Sequence, residues 1–507
     1  MTRAIMLQGT GSDVGKTVLV AGLCRLATNR GLTVRPFKPQ NMSNNAAVAD
    51  DGGEIGRAQW LQSLAARTPS SVHMNPILLK PQSENGSQIV VQGKVWGQAK
   101  GRDYQRLKPQ LLEYVLSSFA TVSEGADLVI VEGAGSPAEI NLRPGDIANM
   151  GFATRAGVPV VLVGDIDRGG VIASLVGTHA ILDERDRGMI AGYIINKFRG
   201  DVSLFDDGIS AIGRYTGWPC FGVVPWLKAA GGLPAEDSVV LEKLARGKPA
   251  ALKVAVPVLP RIANFDDLDP LRAEEDVELV FVKAGDRLPD DAALVVLPGS
   301  KSTISDLADF RAAGWDRDLA AHMRRGGRVI GICGGYQMLG RKVHDPLGIE
   351  GSAAETDGLG LLDVETVMAP EKVVRNSRAV SAEYGTPLSG YQIHLGVTEG
   401  ADCDRPSAQI DGLPDGAIST DGRVMGTYLH GLFSSDSYRA RLLESFGLAG
   451  ERKSYAESVD RALDDVAAEL ERHLDRDCSG CWARFRQRPR GGGGPVLPYN
   501  GAAYGFR

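Results

Sequence analysis

Six short apolar runs, AIMLQG, TVRPFKP, ADLVIVEGAG, VPVVLVGDID, IAGYIINK and CFGVVPW, recur through residues 1–228 with stretches of helical apolar spacing between them. A strand that is apolar at nearly every position has no face to offer water, so it must be covered on both sides. Parallel neighbours need a crossover between consecutive strands, and the intervening helices supply one. The pattern therefore demands a parallel sheet with helices on both faces. A second series opens at LKVAVPVLPRIANFDD and continues through VELVFVKAG, AALVVLPGS, GRVIGICGG, GLGLLDVETV and RVMGTYLHGLF to residue 447. The stretch between the two series, 229–250, is mixed and interrupted by Gly and Pro, and reads as a linker. We expect two doubly wound, mostly parallel α/β domains, 1–228 and 251–447, which agrees with 507 residues being too many for one core. Residues 448–477 are expected to add a helix, carried by SYAESVDRALDDVAAELERHLD. Residues 478–507 have neither helical nor strand period, contain GGGG at 491–494, and are expected to be disordered.

Composition narrows the function classes. Fifty-six Lys and Arg against 62 Asp and Glu give a net charge of −6, which argues against nucleic acid as a partner. No apolar run approaches a membrane span, and the N-terminus enters a strand at once, leaving no room for a signal peptide. Six cysteines (Cys24, Cys220, Cys333, Cys403, Cys478, Cys481) are too few and too scattered for a disulfide framework, so a reducing, cytoplasmic setting is expected. Cys478 and Cys481 form a lone CxxC, short of the four ligands of a structural zinc site. A homo-oligomer is left open.

The stretch LQGTGSDVGKTVLV lies between a strand and a helix. Backbone N–H groups beside a helix N-terminus attract phosphate; Lys16 adds a point charge and Thr17 a hydroxyl for Mg²⁺. The spacing is unusual, with Gly9 followed by five residues, Thr10 to Val14, before Gly15-Lys16-Thr17. This loop resembles that of dethiobiotin synthetase and its relatives, a branch that activates carboxylates or carbamates with ATP. The resemblance implies ATP contacts along Gly9, Thr10, Asp13, Val14, Gly15, Lys16 and Thr17. It also implies a second phosphate-side lysine at Lys38 in RPFKPQNMSNN, an acidic metal ligand at Glu54 in GGEIGRAQ, and Asn196 in YIINKFRGD at the adenine edge. Glu132 ends the strand VIVEGAGS, where open α/β sheets bind ligands. With Thr17 and Glu54 it would offer hard oxygens to Mg²⁺.

In RVIGICGGYQMLG a buried strand runs into Gly331-Ile332-Cys333-Gly334-Gly335 and then a helix. Small residues two before and two after a nucleophile permit a sharp strand-to-helix turn, here with Cys in the place Ser takes in G-x-S-x-G. A thiol at a helix N-terminus is biased toward thiolate and wants a base. His430 in GTYLHGLF ends an apolar strand and can reach such a turn; His394 in GYQIHLG reads as structural or interdomain. The elbow resembles that of class I glutamine amidotransferases. Many of those carry an acid two residues after the histidine, where this chain has Leu432, so a Cys–His dyad or an acid from elsewhere is expected. Gly299, ending AALVVLPGS, and the N–H of Gly334 are candidates for an oxyanion hole at a γ-glutamyl thioester.

The two halves together resemble the cobyric acid synthase family, on GTGSDVGKT, KPQNMSNN, EIGRAQ, NPILLKP, VEGAGSPAEINL, DIDRGGV, INKFRGD, LPGSKST, GICGGYQMLG, GYQIHLG and YLHGLF. The resemblance implies a glutamine-hydrolysing, ATP-dependent amide ligase of cobalamin biosynthesis, with L-glutamine and a corrinoid as substrates. It would amidate the b, d, e and g carboxylates of adenosylcobyrinic acid a,c-diamide. The tail after residue 477 departs from the family pattern. Substrate candidates are Arg143, Asp146 and Asn149 in EINLRPGDIANMG, with Arg143 as a carboxylate clamp, and Asp165, Asp167 and Arg168 in DIDRGG, expected near the same cleft. Two other readings share this plan: cobyrinic acid a,c-diamide synthase, and a regulatory P-loop ATPase with an inactive second domain.

Overall fold

A computed structural model describes residues 2–83, 86–235, 249–351 and 354–474. Most of the 229–250 segment, the Cys478–Cys481 pair and the whole of 478–507 lie outside the described residues.

The first unit is built on strands β1 (Arg3–Gly9), β2 (Val34–Phe37), β3 (Leu128–Glu132), β4 (Val160–Asp165), β5 (Ile190–Phe198) and β6 (Cys220–Pro225), in the order β6-β5-β4-β1-β3-β2, every pair parallel. The unbroken apolar runs have a direct explanation in the side-chain alternation of a strand. Val129 and Val131 enter the core on one face with Phe37, Val160 and Leu162, while Leu128 and Ile130 enter the other with Val34, Val161 and Val163. The chain goes from β1 to one side of the sheet and later to the other, which opens a crevice at the carboxyl end of β1. Register sets what lines it: Leu7 stands opposite Glu132, Gly9 opposite Val163, and Asp165 opposite Asn196.

Helix α1 (Lys16–Asn29) follows β1, and α2 (Arg57–Ala65) and α3 (Gly101–Ser123) fall between β2 and β3. Strands Gln40–Met42, Ile77–Ser83, Gly86–Val91 and Lys94–Lys100 form a separate four-stranded sheet in the same connection.

The second unit uses β7 (Leu252–Pro257), β8 (Val277–Val282), β9 (Leu294–Leu297), β10 (Arg328–Ile332), β11 (Ala417–Ile418) and β12 (Val424–Thr427), in the order β8-β7-β9-β10-β12-β11. Only β11 runs antiparallel. Helix α4 (Gly334–Leu339) leaves the end of β10. The run GLGLLDVETV, expected as a strand of this sheet, is not in it. Its first part crosses the end of α4, with the N–H groups of Leu359 and Leu361 on the carbonyls of Met338 and Leu339, so it satisfies carbonyls that a helix end leaves unpaired. Only Glu365–Val367 is a strand, paired with Lys342–Asp345 in another sheet.

Helix α5 (Tyr455–His473), foreseen as a C-terminal appendage, returns to the first unit and packs on α1. Val459, Leu463, Val466 and Leu470, spaced three or four apart, join the core of Val20, Leu23 and Cys24. The wholly buried Arg25 ties three helices together: it donates to Ala65 O at 2.9 Å and pairs with Asp464 at 3.1 Å and Asp460 at 2.5 Å.

The two units meet through their smaller sheets. Tyr391 and Ile393 of strand Pro387–His394 pack on Ala46, Val48, Leu78 and Val90. Around this apolar patch Arg57 pairs with Asp266 at 3.0 Å, Lys372 with Glu54 at 2.7 Å, and Ala46 N donates to Asn264 Oδ1 at 3.0 Å. Among the described residues no helix is long and apolar enough to cross a membrane.

Candidate active sites

The loop between β1 and α1 closes tightly on itself. A Cβ at Gly9 would lie 2.6 Å from Gly11 O and 2.9 Å from Lys16 Nζ, and Gly15 sits at φ 91°, so neither position accepts a side chain. Thr10 N donates to Val163 O at 2.9 Å, which fastens the loop to β4. Lys16 Nζ reaches the carbonyls of Gly11 at 3.4 Å and Gly135 at 3.3 Å. Asp13 pairs with Arg168 at 2.9 Å.

Beneath the loop, Glu132 collects three donors. Its Oε1 accepts from Thr17 Oγ1 and Lys38 Nζ, both at 2.9 Å, and its Oε2 from Gln62 Nε2 at 2.6 Å. A hydroxyl and a carboxylate side by side at a phosphate loop suit Mg²⁺, which takes one or two protein oxygens and completes its shell with phosphate and water. Glu54, the third residue of the expected ligand set, makes its ion pairs elsewhere. Its Oε1 lies 3.2 Å from Lys80 Nζ and 2.7 Å from Lys372 Nζ at the boundary between the units. Burial would push this carboxyl up, but the two ammonium groups more than offset it and hold it down to about 2. Among the described residues no group of three or more His, Cys, Asp or Glu side chains is placed to hold a metal.

The other expected contacts have the following partners in the fold. Asn196, expected at an adenine edge, donates its amide to Val14 O at 2.8 Å and braces the loop. Arg143, the expected clamp, spends Nε and Nη2 on Asp186 at 2.5 and 2.8 Å. Asp146 accepts the N–H groups of Ala148, Asn149 and Gly151 at 2.8, 3.1 and 2.8 Å, which fixes the turn that leads into helix Met150–Ala156. Asn149 donates to Ala134 O. Arg143, Asp146 and Asn149 line one pocket with Gln40 and Lys108. Asp165, Asp167 and Arg168 do not line it: Asp165 and Arg168 lie by the phosphate loop, with Lys197 Nζ 2.9 Å from Asp165, and Asp167 pairs with Arg199 at 2.6 Å.

The second site forms where β10 turns into α4. Cys333 has φ 54° and ψ −109°, a strained conformation for a non-glycine residue that costs on the order of 1–3 kcal/mol. The turn is possible because Gly335 has no Cβ, which would strike Leu297 O on the adjacent β9. Cys333 Sγ donates to Ile393 O at 3.4 Å, and Cys333 and His430 line one pocket, close enough for the sulfur to act on the imidazole electrostatically. Gly299 sits against the His430 ring and Gly334 against Ser300, so Gly299, Gly334, Cys333 and His430 converge.

The acid absent after His430 comes from 163 residues earlier. Asp267 Oδ2 is 2.7 Å from His430 Nδ1, and its Oδ1 accepts from Gly431 N at 2.6 Å. Burial alone would pull the imidazole down. The Asp267 carboxylate and the Cys333 sulfur outweigh it and raise His430 to about 10, which favours the imidazolium. Asp267 was not foreseen; its only signal is the acidic turn NFDDLD after the first strand of the second series, and nothing in that turn says which aspartate turns inward. His394 lines the same pocket, stacked on Tyr428 at 3.8 Å, and burial together with nearby His430 draws it down to about 4. Gln62, Lys80, Lys301 and Lys372 were also not foreseen.

One short segment spans both sites. Gln62 of α2 holds Glu132, while Arg57 at the start of α2 pairs with Asp266, the neighbour of Asp267.

Comparison with known proteins follows this division. Residues 5–240 match the CobQ/CobB/MinD/ParA nucleotide binding domain, and residues 253–438 the CobB/CobQ-like glutamine amidotransferase domain. The cobyric acid synthase of Rhizobium johnstonii (strain DSM 114642 / LMG 32736 / 3841) is 83% identical over 475 residues, 94% of this chain and 97% of the relative. Those of Rhizobium rhizogenes (strain K84 / ATCC BAA-868) and Sinorhizobium fredii (strain NBRC 101917 / NGR234) are 80% and 77% identical, over 94% and 95% of this chain and 98% and 99% of theirs. With a nucleotide-binding half, an amidotransferase half and this identity along nearly the whole length, the chain belongs to the cobyric acid synthase family.

Proposed function

We propose that this protein makes cobyric acid by amidating the b, d, e and g carboxylates of adenosylcobyrinic acid a,c-diamide, with ATP as the activator and L-glutamine as the nitrogen source. The observation that carries the reading is the presence, in one chain, of a phosphate loop over Thr17 and Glu132 and of a Cys333–His430–Asp267 array.

At the thiol site, Cys333 Sγ attacks the amide carbon of glutamine. His430 delivers its proton to the amide nitrogen, ammonia leaves, and a γ-glutamyl thioester remains. The N–H groups near Gly299 and Gly334 stabilise the oxyanion. Water, with His430 as base, then releases glutamate and restores the thiol. Asp267 keeps the imidazole oriented and balances its charge.

At the loop site, transfer of the γ-phosphoryl of ATP to a corrinoid carboxylate gives an acyl phosphate and ADP. Ammonia displaces phosphate and forms the amide. Lys16 and Lys38 bring positive charge to the transferring group, and Asn196 keeps the loop in shape. Mg²⁺ held by Thr17 and Glu132 would offset phosphate charge. Substrate contacts are proposed at the walls of the Arg143–Asp146–Asn149 pocket, where Asp186 holds Arg143 and the N–H groups of Ala148, Asn149 and Gly151 hold Asp146.

The test is incubation of the full chain with ATP, Mg²⁺, glutamine and the a,c-diamide, followed by mass spectrometry of the corrinoid. The expected product carries four new amides. Amidation of cobyrinic acid at only the a and c positions would overturn the reading in favour of the sister synthase.

A further inference from the structure

This inference rests on the glutaminase reading above and concerns how that site selects its substrate. Every primary amide offers the same reacting carbon to a thiol, so selection must act on the distant amino-acid head. The pocket beside Cys333 and His430 is walled by Lys80, Lys301, Lys372 and Glu350. Lys80 and Lys372 share Glu54 Oε1, at 3.2 and 2.7 Å. Glu350 accepts from Ile304 N at 3.1 Å. The Lys301 ammonium has no ion pair or hydrogen bond to any described residue.

Lys301 is also held in place. It directly follows the two-residue strand Gly299–Ser300, whose backbone packs against Gly334. Lys301 N donates to Arg261 O at 2.9 Å, and Ser300 Oγ donates to Asp306 at 2.6 Å. The backbone that lines the oxyanion position therefore continues straight into the unpaired cation. Three ammonium groups face two carboxylates, Glu54 and Glu350, so the pocket carries excess positive charge, and these carboxylates act on Lys301 only from beyond ion-pair distance. Burial, then repulsion from Lys372 and Lys80, draws Lys301 down to about 7, and an incoming anion would reverse that.

We propose that Lys301 binds the α-carboxylate of L-glutamine, and that this ion pair makes the thiol site selective for glutamine over amides that lack the carboxylate. Glu54, from the first unit, completes the arrangement by pairing with both Lys80 and Lys372, so Lys301 is the one cation of the three left to the ligand.

The experiment measures glutamate or γ-aminobutyrate release by the full chain from L-glutamine and from 4-aminobutanamide, its analogue without the carboxylate. For Lys301→Met the KM for glutamine should rise roughly 10- to 100-fold, as for loss of one charged hydrogen bond, while the KM for 4-aminobutanamide stays put. Lys301→Arg should recover part of the loss. Inactivation of Cys333 by 6-diazo-5-oxo-L-norleucine should slow in Lys301→Met, whereas alkylation by iodoacetamide, which has no amino-acid head, should keep its rate. An unchanged KM for glutamine, or an equal loss on both amides, would overturn the assignment. If the unsubstituted chain releases no glutamate, the glutaminase reading itself falls, and this assignment with it.

Discussion

The phosphate-loop site takes Gly9 to Thr17 from consecutive residues and adds Glu132, Lys38 and Gln62 from elements of the same unit. The thiol site takes Asp267, Gly299, Cys333 and His430 from four separate connections of the second sheet, and borrows part of its pocket wall, Lys80 with its partner Glu54, from the other unit. The first can be complete within its own sheet. The second needs the two units docked. Helix α2 belongs to both, since Gln62 touches Glu132 and Arg57 touches Asp266. A site made of one continuous loop depends on backbone conformation, and one made of distant strand ends depends on register and on interdomain packing.

This contrast can be broken most sharply at the sulfur. Cys333→Ala should lower glutamine-driven amidation by roughly 10⁶-fold, the scale for removing a covalent nucleophile, while added ammonia still supports synthesis. Glutamine-driven product from that variant would remove Cys333 from its role. Asp267→Asn should cost roughly 10⁴-fold in glutaminase turnover, as for other triads that lose the orienting carboxylate. It should also change the pH profile. Asp267 helps raise His430 from 6.5 to about 10, so without it the imidazolium deprotonates at lower pH and the alkaline limb moves down. An alkaline limb that stays in place would mean that Asp267 does not set the charge on His430.

Smaller effects sharpen the comparison from the loop side and from the interface. Lys16→Ala should reduce synthesis by roughly 10³-fold with either nitrogen source, the size expected for a lost phosphate cation; normal ammonia-driven rates would show that the loop does not hold the reacting phosphate. Glu54→Gln leaves Lys80 and Lys372 buried without their carboxylate and should destabilise the folded chain by about 3–5 kcal/mol in denaturant unfolding. Because Glu54 is lowered from 4.5 to about 2, its contribution is complete above pH 4.5 and is lost as pH falls toward 2. The parent protein should therefore lose stability through that window, and the variant should lack that part of its acid dependence.

How far the sequence could be read follows from the same contrast. The loop was legible because Gly9, Gly15, Lys16 and Thr17 act through local backbone geometry, and the elbow because small residues around Cys333 are a local steric requirement. Glu132 could be placed because strand ends in such sheets face ligands. Glu54 was expected as a metal ligand from the segment around it, but its contacts in the fold are Lys80 of its own unit and Lys372, which docking of the second unit brings in. Asp146 and Arg143 looked like substrate groups in a polar loop, but the nearby helix end and Asp186 engage them first.

The sequence by itself determined the two parallel sheets, the phosphate loop, the thiol elbow and the amphipathic helix α5, because each depends on residue spacings of a few positions and on burial of every strand side chain. Tertiary structure alone decided that Asp267 meets His430, that α5 returns to α1, that Glu54 serves the interface and that Lys301 stands unpaired beside the thiol. Those outcomes depend on groups far apart in the chain meeting in a buried setting, where apolar faces must be covered and each ionic group has few partners to choose from, and no local pattern encodes that meeting.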